Sequence, residues 1–266
     1  MTKRLSLQTA LFCFVMLVMS ACKKETSADK QATEVASKLN GQKNMNIFYG
    51  ESVMMGNGTA RAFIALNPAG RPMEIGIEMT DESLEGLEHG EMDHPEYILQ
   101  LPAQALNVTP YKHFVINWNP HGHPLEGIYT VPHFDFHFYT ITNEERMAIG
   151  FNPGAPPAPG YLPAGHVPAG PVPQMGMHWV DPTAPEFNGH PFTYTIMYGS
   201  YNGAVTFTEP MITMDILQSG KAYNKIKIPQ PTYYSPTNTY YPKHYNIYMD
   251  PATQKHYVTY TEFTKQ

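Results

Sequence analysis

The sequence predicts an all-β fold, an antiparallel sandwich or barrel with one or two short helices and a long Pro/Gly-rich loop. Three observations carry that expectation. Short runs of strand-type residues alternate with turn residues along most of the chain. No segment keeps a helical period. The 25 prolines and 20 glycines among 266 residues interrupt helices too often for a bundle.

The N-terminus comes first. Lys3 and Arg4 precede an apolar run over 11–18, which leads into Met19-Ser20-Ala21-Cys22. Small residues directly ahead of a cysteine resemble a bacterial lipobox, so residues 1–21 read as a lipoprotein signal and Cys22 as the lipidation site. The alternative is an ordinary secretory leader with a chance cysteine. Residues 22–45 are polar and weakly patterned, as a tether would be. Residues 46–266 then form a single β-rich domain, a length that one sandwich or barrel accommodates.

Within that domain the strand candidates are 60–66, 73–79, 97–101, 113–118 and 133–140, followed by 192–197, 204–207, 211–217, 225–228, 245–249 and 256–263. Asn67-Pro68-Ala69-Gly70 joins the first two as a turn, and Asp250-Pro251-Ala252-Thr253 closes a final hairpin. Short helices are expected at 81–87 and after Thr142, where Thr142 and Glu145 have capping-box spacing. Residues 153–173 hold eight prolines and suit neither a helix nor a central strand. Nine of the 18 tyrosines lie at or beyond Tyr223. They read as cross-strand packing or as a glycan-stacking face.

Charge and cysteine content narrow the chemistry. With 17 basic and 23 acidic residues the formal charge is −6, so nucleic acid is not an expected partner. Cys13 and Cys22 are the only cysteines, and both precede the folded part. A metal site there must use His, Asp, Glu or Met. No Gly-x-Ser-x-Gly elbow, Walker loop or dinucleotide fingerprint occurs.

Seven of the 12 histidines lie between 113 and 178. In a strand over 133–140, His133, Asp135 and His137 share one face while Phe134, Phe136 and Phe138 share the other. Three polar ligand-type groups on a buried face need pairing, hydrogen bonds or an ion. His133 and His137 stand roughly 13 Å apart along a strand, so one ion takes one of them, not both. The expected set is His121, His123 and either His133 or His137. Asp135 is a co-ligand or an acceptor for an imidazole N–H, and His178 and Glu209 are further candidates. Zinc is the first expectation, with iron, manganese or copper as alternatives. Met175, Met177, Met211 and Met214 are thioethers that would suit copper, or core fillers. The competing reading of the whole cluster is a hydrogen-bonded polar network without metal.

A His/carboxylate set in a β fold resembles the cupin arrangement by analogy. The departures are that Glu126 follows His123 by three residues where that pattern wants four or five, and that no second cupin motif surrounds Gly176 and His178. A more specific resemblance lies in GNGTARAFIALNPAGRPMEIGIEM (56–79), INWNPHGHPLEGIYTVPHFDFHFY (116–139) and GMHWVDPTAPEFNGHPFTYTIMYGSYNGAVTFTEPM (176–211). In this order they resemble a family of bacterial envelope proteins built on a domain of unknown function, with a crystallised thermophile member tied to an extracytoplasmic stress regulon. The resemblance spans most of residues 48–217. It implies fold and location, brings no enzyme activity, and marks the His-Gly-His and His-Phe-Asp-Phe-His motifs as a suspected site.

The functional expectation is a lipid-anchored envelope protein that binds a divalent transition metal. It either performs metal-assisted hydrolase or lyase chemistry, with Asp135 or Glu209 as base, or sequesters metal without turnover. A glycan-binding module is the third reading. Expected partners are the membrane, through the N-terminal lipid, a small-molecule ligand, and a second copy of the chain.

Overall fold

The computed structural model describes residues 45–90, 95–125 and 127–266. The expected leader, Cys22 and almost all of the tether lie outside the described residues, as does Glu126.

Sixteen strands and a few single-turn helices make up the described chain. They are β1 (Asn46–Tyr49), β2 (Val53–Met55), β3 (Gly58–Leu66), β4 (Pro72–Thr80), β5 (Glu96–Gln100), β6 (His113–Asn119), β7 (His133–Tyr139) and β8 (Val167–Val172). The rest are β9 (Gly176–Val180), β10 (Tyr194–Tyr201), β11 (Ala204–Thr213), β12 (Tyr223–Lys227), β13 (Tyr240–Tyr241), β14 (His244–Asp250), β15 (Lys255–Thr261) and β16 (Thr264–Lys265). One sheet runs β1-β3-β4-β15-β14-β12, with β2 added beside β3; the other runs β5-β6-β7-β11-β10-β9-β8. β13 and β16 form a separate pair. Every pairing is antiparallel. The result is sandwich-like rather than a closed barrel.

Period-two alternation builds the core. From the first sheet, Ala62, Ile64, Ile75, Ile77, Val258 and Tyr260 enter one buried cluster. From the second, Phe114, Ile116, Trp118, Phe134, Phe136 and Phe138 join it. Residues two apart in a strand share a face, so the intervening residues of β6 and β7 must lie on the outer face of the second sheet.

The two turns form as expected. Asn67 Oδ1 accepts from the backbone N–H groups of Ala69 and Arg71, and Asp250 Oδ1 accepts from the Ala252 N–H. Thr142 and Glu145 make both halves of a capping box for the helix Asn143–Met147. The Pro-rich segment ends in β8, an edge strand, where a missing N–H need not cost a ladder bond.

One strand expectation is corrected. The separate strands at 204–207 and 211–217 are a single strand, β11, which ends at Thr213 and turns into the helix Met214–Gln218. Pro210 sits inside this central strand. Its ladder to β7 pairs Thr208 with Phe138, then resumes at Met211 opposite Asp135. Proline has no N–H to give there, and the ladder is interrupted beside Glu209.

Candidate metal centres

The outer face of the second sheet is lined by polar side chains, yet it is buried. On β7 it presents His133, Asp135, His137 and Tyr139, opposite Asn119, Asn117, Val115 and His113 of β6. On the other side of β7, β11 places Met211 opposite Asp135, and the same register puts Glu209 opposite His137. A second apolar cluster of Tyr129, Val180, Phe192, Met197 and Met211 covers part of this face, with Leu125, Ile128 and Phe187 packed against it. The segment after β6 therefore folds back as a roof.

Two separate His/carboxylate groups result, each with ligand atoms within 4.8 Å of one another. The outer group is His123, His133 and Asp135; the inner group is His137, His178 and Glu209.

In the outer group, the roof supplies His123 and β7 supplies the other two. His133 Nδ1 lies 2.7 Å from the Val131 carbonyl oxygen, and His123 Nδ1 contacts the Pro124 carbonyl. A carbonyl only accepts, so both Nδ1 atoms carry the proton and, in neutral rings, both Nε2 atoms carry lone pairs. Those Nε2 atoms stand 3.2 Å and 3.4 Å from the two oxygens of Asp135. A lone pair and a carboxylate oxygen at that distance repel unless a proton or a cation lies between them. Asn119 Nδ2 donates to Asp135 Oδ2 at 2.7 Å and orients the carboxylate. Burial opposes ionisation of Asp135, but His133 and His123 outweigh it and hold the carboxyl well below its usual range. Burial likewise disfavours a charged His123, and Asp135 more than offsets it, raising that ring.

In the inner group no such compensation exists. His137 is fully buried, and neither ring nitrogen has a hydrogen-bond partner among the described residues. Its Nε2 is 3.5 Å from Glu209 Oε1, and His178 Nε2 is 3.5 Å from Glu209 Oε2. Burial drives His137 down to about 3, against the pull of the Asp135 carboxylate, and takes His178 down to about 4. Burial also pushes Glu209 well above the carboxylate range, with the charge of Asp135 adding to the effect. Left to itself, this group is neutral and poorly hydrogen-bonded.

β9 supplies His178 across β10. His178 pairs with Gly199, which in turn pairs with Phe207. A Cβ on Gly199 would lie 1.9 Å from the Phe207 ring. Glycine there lets that ring lie flat over the strand, with centroids 4.9 Å from His137 and 5.2 Å from His178. Phe207 and Tyr139 thus wall one side of the inner group with aromatic rings.

Set against the sequence expectations, six residues converge as two groups rather than around one point. His121 joins neither. Its ring is exposed, with Nε2 3.2 Å from the His89 carbonyl oxygen. The reason is local: Gly122 adopts φ +71° and turns the chain, and the His123 N–H bonds the Tyr129 carbonyl. His123 is thereby drawn in under the roof while His121 faces out. Asp135 and Glu209, expected as bases, each occupy a position facing two imidazoles. Met211 is packed in the apolar roof cluster. Asn119 and Gly199 were not anticipated, although the alternation of Asn117 and Asn119 with Ile116 and Trp118 placed both asparagines on the polar face.

Residues 68–118 match the model of a family described as TTHB210-like, hypothetical protein TTHB210. That match is to an uncharacterised family and is narrower than the span 48–217. It covers β4 to β6 and stops before His123, so the similarity reaches the sheet that carries the two groups and none of their six residues. No curated protein and no solved structure matches the chain.

Proposed function

We propose that this protein is a lipid-anchored metal-binding protein of the bacterial envelope, with two transition-metal centres on one buried sheet face. The inner group carries the reading. It buries both nitrogens of His137 and the Oε2 atom of Glu209 without hydrogen bonds. Each such atom costs about 1–3 kcal/mol if nothing engages it. A divalent cation would engage the three ligands together, and Glu209 would give up its proton to hold it.

Two imidazoles and one carboxylate suit zinc first, and iron or manganese by the same donor chemistry. The N-terminal reading supplies the place: a cleaved leader and a lipid on Cys22 would hold the domain at the envelope surface. Binding without turnover fits the geometry better than hydrolysis. The inner group is enclosed. The outer group is more open, through a His123 side chain that is 26% exposed, but its carboxylate is engaged by two rings and by Asn119 and is not free to act as a base.

Elemental analysis of the full chain, purified without chelator, tests this. About two equivalents of metal are expected, falling to one in His137→Ala and in His123→Ala. Absence of bound metal, with no uptake of added zinc, iron, manganese or copper by titration calorimetry, overturns the reading.

A further inference from the structure

A cavity lined by none of the six ligand residues rests on separate observations, although it shares Phe207 with the wall of the inner group. It is a cleft of about 350 Å³ between the Pro-rich segment, the end of the second sheet and residues 228–242. That volume falls at the small end of ligand sites. Its walls include Tyr161, Tyr198, Tyr233, Tyr234 and Tyr241, and among the described residues no Asp, Glu, Lys, Arg or His lines it. An ionic ligand would find no counter-charge there.

The hydrogen bonding is one-sided. Tyr198 donates its hydroxyl proton to the Pro229 carbonyl, Tyr234 to Gln230 Oε1 and Tyr241 to the Pro236 carbonyl. Gln230 spends its amide N–H on the Ile228 and Pro242 carbonyls. What these groups keep is acceptor capacity on phenolic oxygens. Burial pushes Tyr198, Tyr234 and Tyr241 above the ordinary phenol value, so they stay neutral.

The mouth is built and held. The Gly160 carbonyl accepts from the N–H groups of Thr232 and Tyr233, tying the Pro-rich segment to the C-terminal one. A Cβ on Gly160 would lie 2.7 Å from the Tyr233 ring, so only glycine permits this closeness. Tyr161 and Tyr233 stand with ring centroids 5.8 Å apart, and Tyr233 is 57% exposed. The Pro-rich segment thus contributes Ala158 and Tyr161 to the wall of the cleft.

We propose that this cleft binds a neutral saccharide, whose hydroxyls donate to the tyrosine oxygens and whose pyranose C–H face stacks on Tyr161 and Tyr233. Neutrality follows from the uncharged lining, donor character from the phenolic oxygens of Tyr198, Tyr234 and Tyr241, whose own protons are already engaged, and a flat apolar face from the exposed rings.

The test is an array of neutral and acidic oligosaccharides probed with the full chain, followed by fluorescence titration of the neutral compounds retained. Tyr161→Ala and Tyr233→Ala should each weaken binding about tenfold with an unchanged melting transition. Tyr49→Ala, on an exposed position of the other sheet, should leave it unchanged. Chelator treatment and His137→Ala should also leave it unchanged, which separates this proposal from the metal reading. Retention of acidic glycans only, of none, or undiminished affinity in both cleft variants overturns it.

Discussion

The two ends of β7 carry the same kinds of ligand in opposite electrostatic states. At the outer end, Asp135 is ionised and sits among Asn119, His123 and His133, so a proton on an imidazole can balance its charge without metal, while His133 Nε2 and Asp135 Oδ1 have no hydrogen bond among the described residues. At the inner end, burial keeps His137 and His178 uncharged and favours the protonated form of Glu209. The difference is access to water and polar neighbours: His123 hangs from a partly exposed roof, whereas His137 lies under Phe207 and Tyr139. A cation therefore replaces protons at the outer group but supplies a missing partner at the inner one. Similar residue types need not mean similar affinity.

The sharpest way to break this contrast is to remove the inner group. His137→Ala should abolish one of two binding events in calorimetry, weakening that site by at least about a hundredfold, because losing even a group that merely hydrogen-bonds a metal ligand costs about 10–100-fold. The remaining event should keep its affinity. If both events weaken together, the two groups act as one centre and the comparison fails.

The metal-free protein offers the reverse experiment. Replacing His137 and Glu209 together by leucine should raise stability without metal by about 1–3 kcal/mol, since two poorly satisfied buried groups become apolar. Added zinc should stabilise the wild type more than this variant in thermal melts. Loss of stability in the double variant would mean that the inner group is already satisfied.

Another buried imidazole on the same face measures burial apart from either group. His113 stacks on Tyr139, and burial, aided by Arg146, lowers its pKa to about 4. The unfolded chain takes up that proton near the ordinary value of about 6.5. The stability tied to neutral His113 is therefore complete above that value and falls away as the pH drops toward 4. By pH 5 the loss should be about 2 kcal/mol. In denaturant melts the wild type should lose about 2 kcal/mol more than His113→Phe between pH 7 and pH 5 if this is right, and the same amount if it is not.

How much of this was legible in the sequence depends on the range of the interaction. Alternation in 133–139 announced one aromatic and one polar face, and β7 has both. The capping box at Thr142 and the turns at Asn67 and Asp250 are local, and each appears where its residue types require. The division into two centres is not local. It depends on Glu209 arriving opposite His137 within a strand that continues through Pro210, between the two separate strands expected at 204–207 and 211–217. It also depends on His178 reaching across a strand because residue 199 has no side chain. Nothing within a few residues of His178 or Glu209 signals either partner.

A smaller effect belongs to the outer group. Asn119 donates to Asp135 and does not face the ion itself, so Asn119→Ala should cost the outer site about tenfold and leave the inner one untouched. A change confined to the inner site would show that Asp135 is shared, and isothermal titration resolves the two.

The smallest effect separates two neighbours in one motif. His121 and His123 flank a glycine and look equivalent in the sequence, but the left-handed Gly122 sends their side chains apart. His123 faces Asp135 beneath the roof; among the described residues, His121 meets the His89 carbonyl at the surface. His121→Ala should therefore shift stability by no more than about 0.5 kcal/mol and leave both binding events intact. His123→Ala should remove the outer one. Equal losses from the two substitutions would mean that the roof opens to let both rings reach the metal, and the turn at Gly122 would then be a hinge rather than a fixed partition. Gly122→Ala decides between these alternatives: its Cβ would lie 2.1 Å from the Tyr129 carbonyl oxygen, so a fixed turn must lose the His123 ligand along with the roof.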